Sequence, residues 1–326
     1  MRREFMKFAC AAGAFAVLAA AGPTLAQQSY PNKTIRIIVP YAAGGSTDVL
    51  ARNVAKRLSE NLGQPVIVDN KAGGSAVIGS ELVKNAPPDG YTLMMTSGDH
   101  VVIPQLLNTP YHPVKDFAPV GGISFARVLL VANPSVPVGT TQEFLALLKA
   151  KPDQFNYSSS GTGGVPHLTA EILQKKAGVK IQHVPYKGGG PAMLDLVGGQ
   201  VQFNMGPPIN AIPFIKSGKA KPIALTGKRR LDSLPDVPTF EESGIPGLDE
   251  KIWYGLFAPT GTPKAIIDRL SGELIKILAT PDMKEFLQAQ GMEPFSLTSD
   301  QFAAEIKGDY AKYGETIRVG NIKLEQ

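Results

Sequence analysis

The sequence predicts an α/β fold with mixed, mostly parallel sheets. Three observations predict it: short apolar runs end in glycine-rich turns, each turn opens a segment of helical periodicity, and the unit recurs along the 326 residues. Parallel neighbours need a crossover between them, usually a helix, so strands alternating with helices imply parallel pairing. A mature length of about 300 residues fits two domains better than one.

The first unit is the clearest. Ile35–Val39 is an apolar run that stops at Pro40, and Gly44, Gly45, Ser46, Thr47 and Asp48 follow. Leu50, Val54, Leu58 and Leu62 then recur every fourth residue, one face of a helix. The first N–H groups of a helix have no internal partner and carry partial positive charge, so this turn suits an anion. The glycines, lacking Cβ, let a ligand approach the backbone closely.

The same pattern returns down the chain. A strand at 65–69 leads into Gly73, Gly74 and Ser75 and a helix to Ala86. A strand ending at Ser97 meets Gly98, Asp99 and His100 before an apolar helix. A strand at 155–159 precedes Ser160, Gly161, Thr162, Gly163 and Gly164 and a helix from Val165, with Pro166 just inside its start, where a missing N–H costs nothing. A strand at 183–186 precedes Lys187, Gly188, Gly189 and Gly190, with Pro191 opening a helix. Residues 201–205 lead into Gly206 and a short helix, and 254–258 into Pro259, Gly261 and a helix over 265–278. In parallel sheets ligands bind outside the carboxyl ends of the strands, where these turns lie.

The N-terminus reads as a secretory signal peptide over residues 1–26: Arg2, Arg3 and Lys7, an apolar run to Ala21, then small residues before a cut after Ala26. Either the general or the twin-arginine export route fits. Cys10, the only cysteine, lies in this segment, so the mature chain has no thiol, disulfide or cysteine metal site. No further long apolar stretch follows, and export without an anchor suggests a Gram-negative periplasm. Removing Arg2, Arg3, Lys7 and Glu4 lowers the formal net charge from +5 to +3. That mild excess is spread along the chain, with no basic block of the kind nucleic-acid binders use.

Catalytic signatures are missing. There is no G-x-S-x-G elbow and no phosphate-binding G-x-x-x-x-G-K-[ST], and Pro166 falls where a dinucleotide motif starting at Gly161 needs its third glycine. His100, His112, His167 and His183 have no ligand spacing, so neither a metal nor an organic cofactor is expected. His167 reads either as a donor to an anion or as a local cap. Asp48 reads either as a helix-dipole partner, contributing about 0.3–1 kcal/mol, or as an acceptor for a ligand hydroxyl or amine.

Several segments together resemble one family. YP at 30–31, the Ile35–Val39 strand, PYAAGG at 40–45 with Asp48, VDNKAGG at 68–74, PDGYTL at 88–93, YSSSG at 157–161 with His167, VPYKGG at 184–189, PDVPT at 235–239 and WYGLFAP at 253–259 are similar to the tripartite tricarboxylate transporter substrate-binding proteins, the Bug receptors. The likeness spans essentially the whole mature chain. It implies a two-lobed periplasmic receptor, a Venus flytrap that closes by hinge motion on a small carboxylate and presents it to a two-subunit membrane permease. Residues 27–128 and 259–326 would form lobe 1 and 129–258 lobe 2, the crossings lying near 129–133 and 254–259. A monomer without catalytic activity is expected.

The resemblance also maps two facing loops. One is Tyr41, Ala43, Gly44, Gly45, Ser46 and Asp48; the other is Ser159, Ser160, Thr162, Gly163 and His167, with Lys187 and Gly188 beside it. Backbone N–H groups and hydroxyls can fill the lone pairs of a carboxylate, each charge-assisted bond contributing roughly 1.5–3 kcal/mol. Tyr41 would wall the ligand's carbon skeleton. Ser97 and Asp99 stand at a third loop end. Many relatives carry an acidic residue where this chain has Gly206, which disfavours an amino acid and leaves a di- or tricarboxylate, or an aromatic acid, as the expected ligand. A sensor subunit for a two-component kinase and an exported hydrolase are the alternatives.

Overall fold

A computed structural model of the chain describes residues 30–322. The proposed signal peptide and Cys10 lie outside the described residues. From Lys33 onward the chain forms one compact unit built on two mixed sheets.

The first sheet has the order β11-β4-β10-β3-β1-β2. Its strands are β1 (Ile35–Val39), β2 (Val66–Asn70), β3 (Thr92–Ser97), β4 (Phe117–Arg127), β10 (Lys251–Pro259) and β11 (Met292–Leu297). The second has the order β7-β6-β8-β5-β9, from β5 (Leu129–Ala132), β6 (Asn156–Ser159), β7 (Gln182–Pro185), β8 (Phe203–Gly206) and β9 (Lys221–Leu225). Parallel pairing is confined to the strand–helix–strand units: β1 with β2 and β3, and β6 with β7 and β8. β10 runs antiparallel between β3 and β4, and β5 antiparallel between β8 and β9. The two sheets organise two lobes.

The helices are α1 (Ser46–Leu62), α2 (Val77–Lys84), α3 (Asp99–Leu106), α4 (Thr141–Ala150), α5 (Val165–Ala177), α6 (Gly189–Val197), α7 (Pro208–Lys216), α8 (Lys264–Ala279), α9 (Pro281–Ala289) and α10 (Ser299–Val319). Leu50, Val54 and Leu58 of α1 are buried, as their spacing requires, and Gly63 ends that helix in the left-handed conformation that favours glycine. No helix among the described residues is long and apolar enough to cross a membrane.

β10, expected as a crossover strand of lobe 2, sits inside the first sheet. Its packing explains why. Trp253 and Phe257 are fully buried, Trp253 meets Phe302 of α10 edge-on at 5.2 Å, and its indole N–H donates to Asp309 of α10 at 2.9 Å. The chain therefore returns to the first sheet before Lys251 rather than after Ala258. The second lobe has its own core, where Leu129, Val131, Met193, Leu196, Ile212 and Leu225 pack together.

Candidate ligand-binding site

Four strands deliver their carboxyl ends to one place: β1 leads to Tyr41, β3 to Ser97, β6 to Ser160 and β8 to Pro207. A cavity of about 310 Å³, part of it open to solvent, lies there. It is lined by Tyr41, Gly45, Ser46, Thr47, Ser97, Asp99, Ser160, Pro166, Gly189, Pro207, Ile252 and Tyr254.

Five helices also begin at this cavity: α1, α3, α5, α6 and α7, with Gly45, Gly98, Gly164, Gly188 and Pro207 at their N-cap positions. None of the five has a side-chain cap of its own. Their converging N-termini aim backbone dipoles at the cavity, and among the described residues no lysine, arginine or histidine lines it. Backbone donors, hydroxyls and an apolar wall are what remain for a ligand.

The two lobes touch at the rim. The Ala42 N–H donates to the Lys187 carbonyl at 2.8 Å. Gly188 has φ +149, and a Cβ there would lie 3.0 Å from the Ala42 nitrogen, so this approach needs glycine.

Asp99 is buried and spans the lobes. Its Oδ1 accepts the backbone N–H of Val165 at 2.7 Å, and its Oδ2 accepts the Tyr41 hydroxyl at 3.3 Å. That hydroxyl also lies 3.0 Å from Ser97 Oγ. Burial pushes the Asp99 carboxyl above the usual range, and the hydrogen bonds from Val165, Ser97 and Tyr41 work against that rise. Burial and the neighbouring Asp99 carboxyl push the Tyr41 phenol well up, so it stays a neutral donor. Tyr254 is fully buried, and although its hydroxyl lies near Ser46 it makes no hydrogen bond of ordinary geometry.

With this geometry in place, comparison with known proteins decides the family. A model of the tripartite tricarboxylate transporter family receptors matches residues 50–322. The chain belongs to that receptor family. Protein BugT of Bordetella pertussis (strain Tohama I) is 33% identical over 316 residues, covering 96% of this chain and 97% of that protein. The structure of the periplasmic binding protein BugD superposes with a TM-score of 0.87 at 33% identity, over 91% of this chain and all of that one. The structure of Rpa4515 from R. palustris with adipate superposes with a TM-score of 0.87 at 30% identity, over 90% of this chain and 99% of that one.

The expected site residues fall into two groups in this receptor. Tyr41, Gly45, Ser46, Ser97, Asp99 and Ser160 line the cavity together. The others support the loops. Asp48 Oδ2 accepts the Gly44 N–H at 2.9 Å and Arg52 Nε at 3.1 Å, so its carboxylate serves the turn. Ala43 and Gly44 are exposed at that turn. Ser159 Oγ accepts the Gly161 N–H at 3.2 Å and lies 2.7 Å from His183 Nε2. His167 Nδ1 accepts the Gly163 N–H at 3.1 Å, and its ring lies 3.8 Å from that of His183, tilted by 30°, so in this structure it caps the loop. Thr162 and Lys187 do not line the cavity, Lys187 contributing its carbonyl to Ala42, and Gly188 serves the lobe contact. Gly206 pairs with Leu129 in the second sheet, and its neighbour Pro207 lines the cavity instead.

Thr47 and Gly189, inside the expected loops at 41–48 and 187–190, line the cavity too, as do Pro166, Pro207, Ile252 and Tyr254, which were not expected as ligand contacts. The first four adjoin recognised turns, and the prolines at the α5 and α7 starts were a usable signal. Ile252 and Tyr254 come from β10, whose place depends on pairing with strands more than a hundred residues away.

Proposed function

We propose that this receptor captures a carboxylic acid in the cavity between its lobes and delivers it, in the closed form, to a two-subunit membrane permease from the periplasm. The observation that carries this reading is the convergence of five helix N-termini, none capped by its own N-cap side chain, on a cavity that no basic side chain lines among the described residues. Such a site binds an anion through backbone dipoles and hydroxyls, and it reads a carboxylate without a full countercharge. The adipate complex of Rpa4515 supports the same ligand class.

The lobes are proposed to hinge where the chain passes between the sheets, at Val128 and just before Lys251. The test is a thermal-shift screen of mono-, di-, tri- and aromatic carboxylates on the purified mature protein. A one-site ligand at a hundredfold its dissociation constant adds about 2.7 kcal/mol of apparent stability. A screen in which no carboxylate moves the midpoint overturns the proposal.

A further inference from the structure

We propose that Asp99 sets the ligand class: the receptor takes an acid with a single carboxylate and, facing Asp99, a hydrogen-bond-donating hydroxyl or ammonium group. This rests on the carboxylate reading above and narrows it, and it displaces the expectation of a di- or tricarboxylate.

Among the described residues Asp99 is the only acidic side chain lining the cavity, and no lysine, arginine or histidine lines it to offset the charge. The residue is 4% exposed and makes no ion pair among the described residues. Its position is unusual because it caps a helix of the other lobe. A Cβ on Gly164, the N-cap of α5, would lie 2.9–3.0 Å from the Asp99 carboxyl atoms, so the carboxyl fills the place where a capping side chain would stand. Its Oδ1 takes the Val165 N–H, and the next residue, Pro166, has no N–H to give.

The α5 terminus is thereby spent. Of the other helix starts, those of α1 and α6, at Gly45, Ser46 and Gly189, face each other closely: a Cβ on Gly45 would lie 3.4 Å from the Gly189 nitrogen. A ligand carboxylate placed there shares the cavity with the Asp99 carboxyl. A second ligand carboxylate would face that carboxyl with no cation between them, whereas a hydroxyl or ammonium would donate to it. The Tyr254 hydroxyl, buried at the cavity wall without a hydrogen bond of ordinary geometry, is a second polar group awaiting a partner. The upward push of burial on the Asp99 carboxyl agrees with a site that penalises further negative charge.

The experiment is calorimetric titration of the mature protein with two matched series. One is propionate, lactate, alanine, succinate and citrate; the other is benzoate, 4-hydroxybenzoate, 4-aminomethylbenzoate and terephthalate. In whichever series binds, an acid bearing the hydroxyl or ammonium is expected to bind at least about tenfold tighter than both the parent acid and the dicarboxylate. Asp99→Asn keeps an oxygen for the Val165 N–H while removing the charge, and it is expected to shrink the preference over the dicarboxylate by about tenfold. A wild-type protein that prefers succinate, citrate or terephthalate overturns the inference without any variant and leaves the carboxylate reading standing. An Asp99→Asn variant whose preference over the dicarboxylate is as large as that of wild type also overturns it. Failure of both series to bind removes the carboxylate reading and this inference together.

Discussion

Thr226 and Val128 exchange two hydrogen bonds: the Thr226 N–H donates to the Val128 carbonyl, and the Val128 N–H to Thr226 Oγ1, both at 2.9 Å. The same hydroxyl donates to the Glu250 carbonyl at 2.7 Å. Val128 lies between β4 of the first sheet and β5 of the second, and Glu250 immediately precedes β10. One side chain thus ties together both stretches where the chain passes between sheets. Thr226→Val keeps the shape and strands a buried N–H and a carbonyl, at about 1–3 kcal/mol for each group left unsatisfied. Urea unfolding is expected to show a loss in that range, with Thr226→Ser close to wild type. Equal stability of the valine variant would mean the brace contributes nothing.

Asp48 is predicted to act through stability and not through ligand contact. Burial disfavours its ionised form, but hydrogen bonds from Arg52 and the Gly44 N–H outweigh this and hold the carboxyl below 3.8. Because the folded value is the lower one, the stabilisation is present above 3.8 and is lost as pH falls through the folded value. Asp48→Asn is expected to cost about 1 kcal/mol at neutral pH, modest because Arg52 is half exposed. The gap from wild type should narrow near pH 3. A gap that does not change with pH would assign the effect to packing.

The contrast between Asp48 and Asp99 shows what a linear reading can reach. Gly44, Gly45 and Ser46 were legible as an anion-binding turn because strand, turn and helix lie within thirty residues and each has a local signature. The choice between two roles for Asp48 was not legible, since it depends on which way the side chain turns toward Arg52. Asp99 was legible as a loop-end acid, but its partner, the Val165 N–H, lies 66 positions away in the other lobe. Thr226 and Ile252 carry no motif, and the family segment that holds Tyr254 does not announce a place at the cavity. Their roles come from antiparallel pairing and from the two passages between sheets, which no short window of sequence encodes.

His100 predicts an acid sensitivity of the first lobe. The ring is buried against Tyr111, Phe117 and Phe257, and its Nε2 donates to the Pro113 carbonyl at 3.0 Å. Burial lowers its pKa from 6.5 to about 4, the bond to Pro113 opposing the fall. Between those values the unfolded chain takes up a proton that the folded chain does not, so stability is full above 6.5 and declines as pH falls toward 4. The share of His100 between neutral pH and pH 5 is about 2 kcal/mol, from about 1.5 pH units below its unfolded value. His183, lowered to about 3 by burial and by His167, adds to the wild-type slope. Urea unfolding at the two pH values should show a smaller decline for His100→Gln than for wild type; identical declines would contradict the assignment.

Gly190 separates ligand binding from folding. It lies in the first turn of α6, where alanine is the better helix former by about 1 kcal/mol. A Cβ there would lie 2.9 Å from the Ala43 carbonyl oxygen and 3.2 Å from the Gly45 nitrogen, both backbone atoms of the facing lobe that cannot rotate away. Gly190→Ala therefore opposes the approach of α6 to the turn before α1 while leaving each lobe's core intact. The expected outcome is an unliganded protein at least as stable as wild type and an affinity at least about tenfold weaker, a loss of about 1.4 kcal/mol in binding. Thermal melts with and without ligand, together with calorimetry, measure both quantities. Unchanged affinity would mean that the ligand is held without this contact between the lobes, and the site would then have to be built from first-lobe donors alone.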